Sequence, residues 1–178
     1  EYFLMKNLVL SFLTTLLLIG CNNLKDFNND PDYFANAQWI AFKHLEDSMK
    51  VVPGVHGSGD NLGYKCLERS VVPMFRKEFN ETLDIKSASI NICGIGHYKL
   101  YINGNEIGDH FLAPGWSLYQ ERCLYNTYDI TEQIKKGDNV IGVIVGNGFY
   151  NINRERYRKL VVAYGYPRLI FNIGLKMK

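Results

Sequence analysis

The chain lacks the short motifs that mark most nucleotide-dependent and metal-dependent enzymes. No Gly-Lys-Ser/Thr occurs, so there is no P-loop, and "GSGDNLG" has one residue too many before its last glycine for a dinucleotide fingerprint. No His-x-x-x-His, Cys-x-x-Cys or Gly-x-Ser-x-Gly pattern is present. We therefore assign no catalytic residue and no metal ligand from motifs.

An excess of charge of one sign is also missing. The 20 Lys and Arg residues nearly balance the 18 Asp and Glu residues, for a net charge of +2. Such a balance does not indicate nucleic-acid binding, and we interpret the cationic stretch "NRERYRK", 153–159, as a solvated face. A length of 178 residues suits one domain with a real core. Twelve Tyr, ten Phe and 16 Gly favour strands and turns.

Cysteine is scarce, and no two cysteines lie close together in sequence. After Cys21 the chain has Cys66, Cys93 and Cys123. An odd number without paired spacing favours buried thiols. The alternative is one disulfide with one thiol left over, as occurs in exported proteins.

The N-terminus has the pattern of an export signal. Met5-Lys6 gives a basic start, and the apolar run at residues 8–19 is too short to span a bilayer comfortably. "LIGC" resembles a bacterial lipobox, in which Cys21 becomes the lipidated first residue. We therefore predict a signal peptide over 1–21, with Met5 as the true start, and a tether over 22–35. The domain would be exported and held at a bacterial membrane only through its lipid, facing either the periplasm or the cell surface.

The rest of the chain alternates in hydrophobicity with the period of β-strands. The apolar positions predicted to share inward faces are Ala88, Ile90, Ile92, Tyr98, Leu100, Ile102, Leu169, Phe171, Ile173 and Leu175. The run at 139–145 is almost wholly apolar and predicts a central strand. Short strands between frequent turns predict an all-β sandwich over 36–178, with at most short helical turns.

Two turns can be predicted from local chemistry. Asn103-Gly104 lies between alternating runs and predicts a type I′ hairpin, which requires positive φ at both central residues. "DITEQIKKGDN" predicts one capped turn, beginning near Thr131 and closed by Gly137. Asp129 is interpreted as a turn or capping residue rather than a catalytic carboxylate.

Two clusters of aromatic and polar residues are the candidates for a binding site. They are "APGWSLYQ", 113–120, and "GNGFYN", 146–151. Sugars bind through C–H faces stacked on aromatic rings and through hydroxyls bonded to amides. The candidate carbohydrate-binding residues are Trp116, Tyr119, Asn147, Phe149, Tyr150 and Asn151. The alternative is that these aromatic residues belong to the core or its edge.

Several segments together resemble a known family. "AQWI", "PMFRKEF", "SASINICGIGHYKLYINGNEIGDHFLAPGWSLYQERCLYNTYDIT", "GDNVIGVIVGNGFY" and "GYPRL" are similar, in order and spacing, to the N-terminal β-sandwich domain of bacterial α-L-rhamnosidases. The resemblance implies a jelly-roll sandwich like galactose-binding domains. It also implies an inverting glycoside hydrolase whose catalytic carboxylates lie in a following (α/α)6 barrel. Some related sandwiches bind rhamnose with calcium.

The sequence contains no segment that could form that barrel, so no catalytic residue can be carried over from the family. We expect a fragment that is inactive alone and that assists recognition of rhamnose-containing glycans or braces the barrel. The alternatives are a ligand-free scaffold and a stand-alone carbohydrate-binding lipoprotein. No cofactor is expected, and calcium is the one ion that the resemblance suggests.

Overall fold

The computed structural model describes residues 24–26, 34, 36–46, 71–152 and 162–178. The predicted signal peptide with Cys21, Cys66 and the cationic stretch 153–159 lie outside the described residues. Two antiparallel sheets form the domain, and no α-helix occurs within the described ranges, which confirms the predicted fold class. No helix in this part of the chain is long and apolar enough to cross a membrane.

Eleven strands make up the described architecture. They are β1 Leu24–Asp26, β2 Ile40–Ala41, β3 Met74–Glu81, β4 Ile85–Ile95, β5 His97–Ile102, β6 Asn105–Ile107, β7 Leu124–Asp129, β8 Gly137–Gly146, β9 Asn151–Ile152, β10 Val162–Ala163 and β11 Arg168–Met177. One sheet has the order β1-β7-β4-β11-β2 and the other β3-β8-β5-β6, with β9 and β10 forming a separate pair. All of these strand pairs are antiparallel.

The main core follows the period-two pattern. Ile90 and Ile92 of β4 are fully buried, as are Leu100 and Ile102 of β5, and all four belong to one apolar cluster. The inward residues of β11 pack against the same cluster, and the exposed residues of β11 alternate with them along the strand. The prediction of a central strand at 139–145 is confirmed, since β8 lies between β3 and β5.

A second core covers the opposite face of the five-stranded sheet. Cys93 of β4, Tyr125 of β7 and Ile170 of β11 are buried there, and Phe34 packs edge-on against Tyr125 with ring centroids 5.3 Å apart. Residues 24–26 also pair with β7. Part of the segment predicted as a tether therefore contacts the sandwich, because Phe34 and the backbone of β1 find partners far away in sequence.

The Asn103-Gly104 hairpin is confirmed and joins β5 to β6. Asn103 has φ +50° and Gly104 has φ +86°. The predicted capped turn is a single turn in which Gln133 and Ile134 both donate to Ile130 O at 3.1 Å. Asp129 is its capping residue, because Asp129 Oδ1 accepts hydrogen bonds from Thr131 N at 2.9 Å and Thr131 Oγ1 at 2.6 Å.

Candidate carbohydrate-binding site

Trp116 and Phe149 form an exposed pair of stacked rings, which we call the aromatic platform. Their centroids lie 5.0 Å apart with 22° between the ring planes. Trp116 is 66% exposed and Phe149 is 37% exposed. Contiguous exposed apolar surface is one mark of an interaction site, so this pair is a candidate. The two clusters predicted from the sequence thus meet at these two rings.

The turn that carries Phe149 depends on a glycine. Tyr150 and Asn151 both donate backbone hydrogen bonds to Asn147 O at 3.2 Å, which closes the turn. Gly148 has φ +50°, and a Cβ there would lie 3.0 Å from the backbone of Gly96. Any side chain at this position would therefore push the turn away from β5.

The loop that carries Trp116 is anchored at both of its sides. Tyr98 N donates to Ala113 O at 2.9 Å, and the following peptide, Ala113–Pro114, is cis. On the other side Ser117 Oγ donates to Arg122 O at 2.9 Å. These bonds position the loop, and with it Trp116, beside the turn that carries Phe149.

The remaining candidates lie beneath the platform or beside it. Tyr119 is half-buried and meets Tyr150 edge-on, with centroids 5.3 Å apart. Tyr150 is 6% exposed and Asn151 is 1% exposed. Asn147 is half-buried, and its Oδ1 accepts a hydrogen bond from Asn151 Nδ2 at 2.9 Å. Of the six candidates, only Trp116 and Phe149 present large surfaces to solvent.

Burial also affects the tyrosine hydroxyls in this region. Desolvation raises the pKa of Tyr119 and of Tyr150 above the ordinary value for tyrosine. Both phenols therefore remain neutral at physiological pH and can act only as hydrogen-bonding groups. Tyr150 also stacks on Tyr164 with centroids 5.5 Å apart, which ties the platform's support to the strand pair β9–β10.

His97 is a neighbour of the platform that the sequence did not point to. Its ring meets Phe149 edge-on, with centroids 6.3 Å apart. Its Nδ1 is buried and has no hydrogen-bond partner among the described residues. Only the crossing of β5 and the 147–150 turn brings it here, so no local pattern could have identified it. Within the described ranges, no group of three or more His, Cys, Asp or Glu side chains could hold a metal ion.

The fold and this surface define a β-sandwich domain whose loops display an aromatic platform. A family described as "Alpha-L-rhamnosidase N-terminal domain" matches residues 83–178, which is more than half of the chain. The chain therefore belongs to the family of α-L-rhamnosidase N-terminal domains, and the resemblance seen in the sequence is confirmed.

Curated relatives and solved structures agree with this assignment. An α-L-rhamnosidase of Formosa agariphila is 41% identical over 110 residues, which cover 58% of this chain and 11% of the relative. A second from the same organism is 32% identical over 151 residues, covering 84% and 15%. The structure of an Aspergillus terreus α-L-rhamnosidase matches with 32% identity, a TM-score of 0.62, and coverage of 83% of this chain and 15% of that one. The chain thus spans a small part of the length of these relatives.

Proposed function

We propose that this domain is a non-catalytic accessory domain of an exported, lipid-anchored α-L-rhamnosidase, and that it assists recognition of rhamnose-containing glycans. The observation that carries the proposal is the aromatic platform, in which Trp116 is 66% exposed and stacked on Phe149. The export signal and the "LIGC" sequence ending at Cys21 support the location.

L-Rhamnose has the chemistry that such a platform would recognise. It is a 6-deoxy sugar, so its C5–C6 edge and the C–H groups of one ring face are apolar. These groups can cover the exposed face of Trp116, while the Asn147 amide offers hydrogen bonds to hydroxyls at the edge. The platform is shallow and open, so we expect weak binding, with a dissociation constant of about 1 mM or above.

A second candidate function is bracing of the catalytic barrel that the family resemblance implies. Apolar side chains on and before β3 support it, since Met74 is 77% exposed and Val72 is 60% exposed. An opening of about 510 Å³ between the sheets is lined by Phe79, Ile141 and Phe171, among others. Exposed apolar side chains and an apolar-lined opening suit contact with another part of a larger protein.

The experiment is a calorimetric titration of the 178-residue chain with L-rhamnose, carried out with calcium and again with a chelator. We expect saturable binding that is lost in Trp116→Ala and in Phe149→Ala. Phe111→Ala is the matched control, because Phe111 is 91% exposed in the same loop region but has no stacking partner among the ring contacts of the described residues. D-Galactose serves as the control sugar. The two calcium conditions show whether an ion takes part.

The outcomes separate the two functions. Absence of saturable heat up to about 50 mM sugar would reject glycan recognition. The bracing function instead predicts self-association of the isolated chain, reduced by the double change Val72→Ser and Met74→Ser and visible by sedimentation. Turnover of an aryl rhamnoside by this chain above background would reject the proposal that the domain is non-catalytic.

A further inference from the structure

Cys93 and Cys123 lie far apart in sequence but on the same face of one sheet. Cys93 is near the end of β4, and Cys123 directly precedes β7, its neighbour. The register pairs Ile92 with Asn126, so its continuation sets Cys93 opposite Tyr125. Since side chains alternate, Cys123 projects from the same face as Tyr125, diagonally across from Cys93.

The two cysteine side chains pack in the same buried region. Both cysteines belong to the second apolar cluster, and neither is in a disulfide. The thiols are hydrogen-bonded to each other, and this bond together with burial raises the pKa of Cys93 well above its usual range. Regular pairing of β4 with β7 ends at Ile92, but Cys93 stays paired with Ile170 of β11. Cys123 lies just outside β7, so the backbone adjustment that joins the two sulfur atoms falls on the Cys123 side.

We propose that Cys93 and Cys123 form a disulfide when the folded protein meets a small organic disulfide. Cys123 is half-buried and Cys93 is 1% exposed, so Cys123 reacts first. Its thiolate attacks one sulfur of the organic disulfide and expels the other as a thiolate, leaving a mixed disulfide on Cys123. Cys93 then attacks the Cys123 sulfur, and the Cys93 proton passes to the second small thiolate, which this attack expels.

The electrons and atoms balance in this exchange. The two protein thiols lose two protons and two electrons, and one organic disulfide is reduced to two thiols. The high pKa of Cys93 makes the second step the slower one, because only its thiolate can attack. Formation of the bond is therefore slow, which does not suit a rapid redox switch.

The disulfide would close a ring over residues 93–123. That ring contains the β5–β6 hairpin and the loop that carries Trp116. Closing it restricts the unfolded chain, and we expect the midpoint of thermal unfolding to rise by about 5–12 °C. This inference goes beyond the proposed function and does not depend on sugar binding.

The test uses the full chain with Cys21→Ser and Cys66→Ser, so that Cys93 and Cys123 are the remaining cysteines. The folded protein is incubated with oxidised glutathione, quenched, unfolded and labelled with a maleimide before its intact mass is measured. We expect loss of two hydrogens, no labelled thiol and a raised unfolding midpoint. Adding Cys93→Ser to this background should instead trap glutathione on Cys123.

Two results would overturn the proposal. One is a product that still labels at both cysteines after the incubation. The other is a stable glutathione adduct on Cys123 that Cys93 never displaces. Should Cys93→Ser fail to fold, Cys123→Ser replaces it as the control. In Cys123→Ser the remaining thiol, Cys93, is buried and must stay reduced. A glutathione adduct on Cys93 would contradict the proposal that Cys123 reacts first.

Discussion

Asn139 ties together the turn before β8 and the Asn103-Gly104 hairpin. Its side chain is fully buried. Asn139 Oδ1 accepts hydrogen bonds from Lys135 N at 2.9 Å and from Asn103 Nδ2 at 2.9 Å. Asn139 Nδ2 donates to Lys135 O at 2.7 Å and to Gly137 O at 2.9 Å. All the hydrogen-bonding atoms of this amide are thus engaged inside the protein.

We predict that Asn139→Ala lowers the free energy of unfolding by about 3 kcal/mol. Each of the four hydrogen bonds contributes about 1 kcal/mol, and the groups left unpaired inside the protein add to the loss. Lys135 is exposed, so water can replace part of the hydrogen bonding that the Lys135 N–H and carbonyl lose in this variant. A change of this size corresponds to a fall of about 6–12 °C in the unfolding midpoint.

Urea unfolding followed by far-UV circular dichroism measures this change directly. Asn80→Ala is the matched control, because the Asn80 amide bonds only the neighbouring Asp138 carboxylate, at 2.6 Å, in an exposed pair. We expect the control to change stability by no more than about 0.5 kcal/mol. An equally small loss of unfolding free energy in Asn139→Ala and Asn80→Ala would contradict this prediction.

Gly96, Asn103 and Asp129 each occupy a position where a substitution has a measurable consequence. Gly96→Ala should leave little folded protein on expression, because φ is +118° there and the added Cβ would clash with Gly146 O. Gly142→Ala is its control and should fold normally, because its Cβ would meet Tyr101 at an ordinary 3.9 Å. Asn103→Gly should be more stable than Asn103→Ala by about 1 kcal/mol in urea unfolding, since both lose the same bonds but only alanine is strained at φ +50°. The Thr131 hydroxyl and N–H lower the pKa of Asp129 below its ordinary 3.8, so the cap stabilises the fold above pH 3.8 and this stabilisation is lost as the pH falls further. Asp129→Asn should remove this part of the acid sensitivity when unfolding is measured across a pH series. An unchanged pH profile in Asp129→Asn would contradict the prediction.

Features encoded by neighbouring residues could be predicted from the sequence. The Asn103-Gly104 turn depends on the conformational freedom of two adjacent residues, and the faces of β4 and β5 follow from alternation along each strand. The position of Trp116 and Phe149 in two clusters of aromatic and polar residues was also visible.

Features that depend on distant contacts could not be predicted. Phe34 lies in an Asn- and Asp-rich segment, yet it is buried against Tyr125. Tyr150 and Asn151 carry the residue types of a sugar site, but the sequence does not show that the turn directs them inward. The contact between Cys93 and Cys123 likewise arises only when β4 and β7 pair.

Recognition of rhamnose by the aromatic platform is tested most directly by one comparison. The unaltered chain, Trp116→Ala and Phe111→Ala are each titrated with L-rhamnose in the calorimeter. We predict saturable binding in the millimolar range for the unaltered chain and Phe111→Ala, and none for Trp116→Ala. Equal heats for all three proteins, or no saturable heat from the unaltered chain, would contradict it.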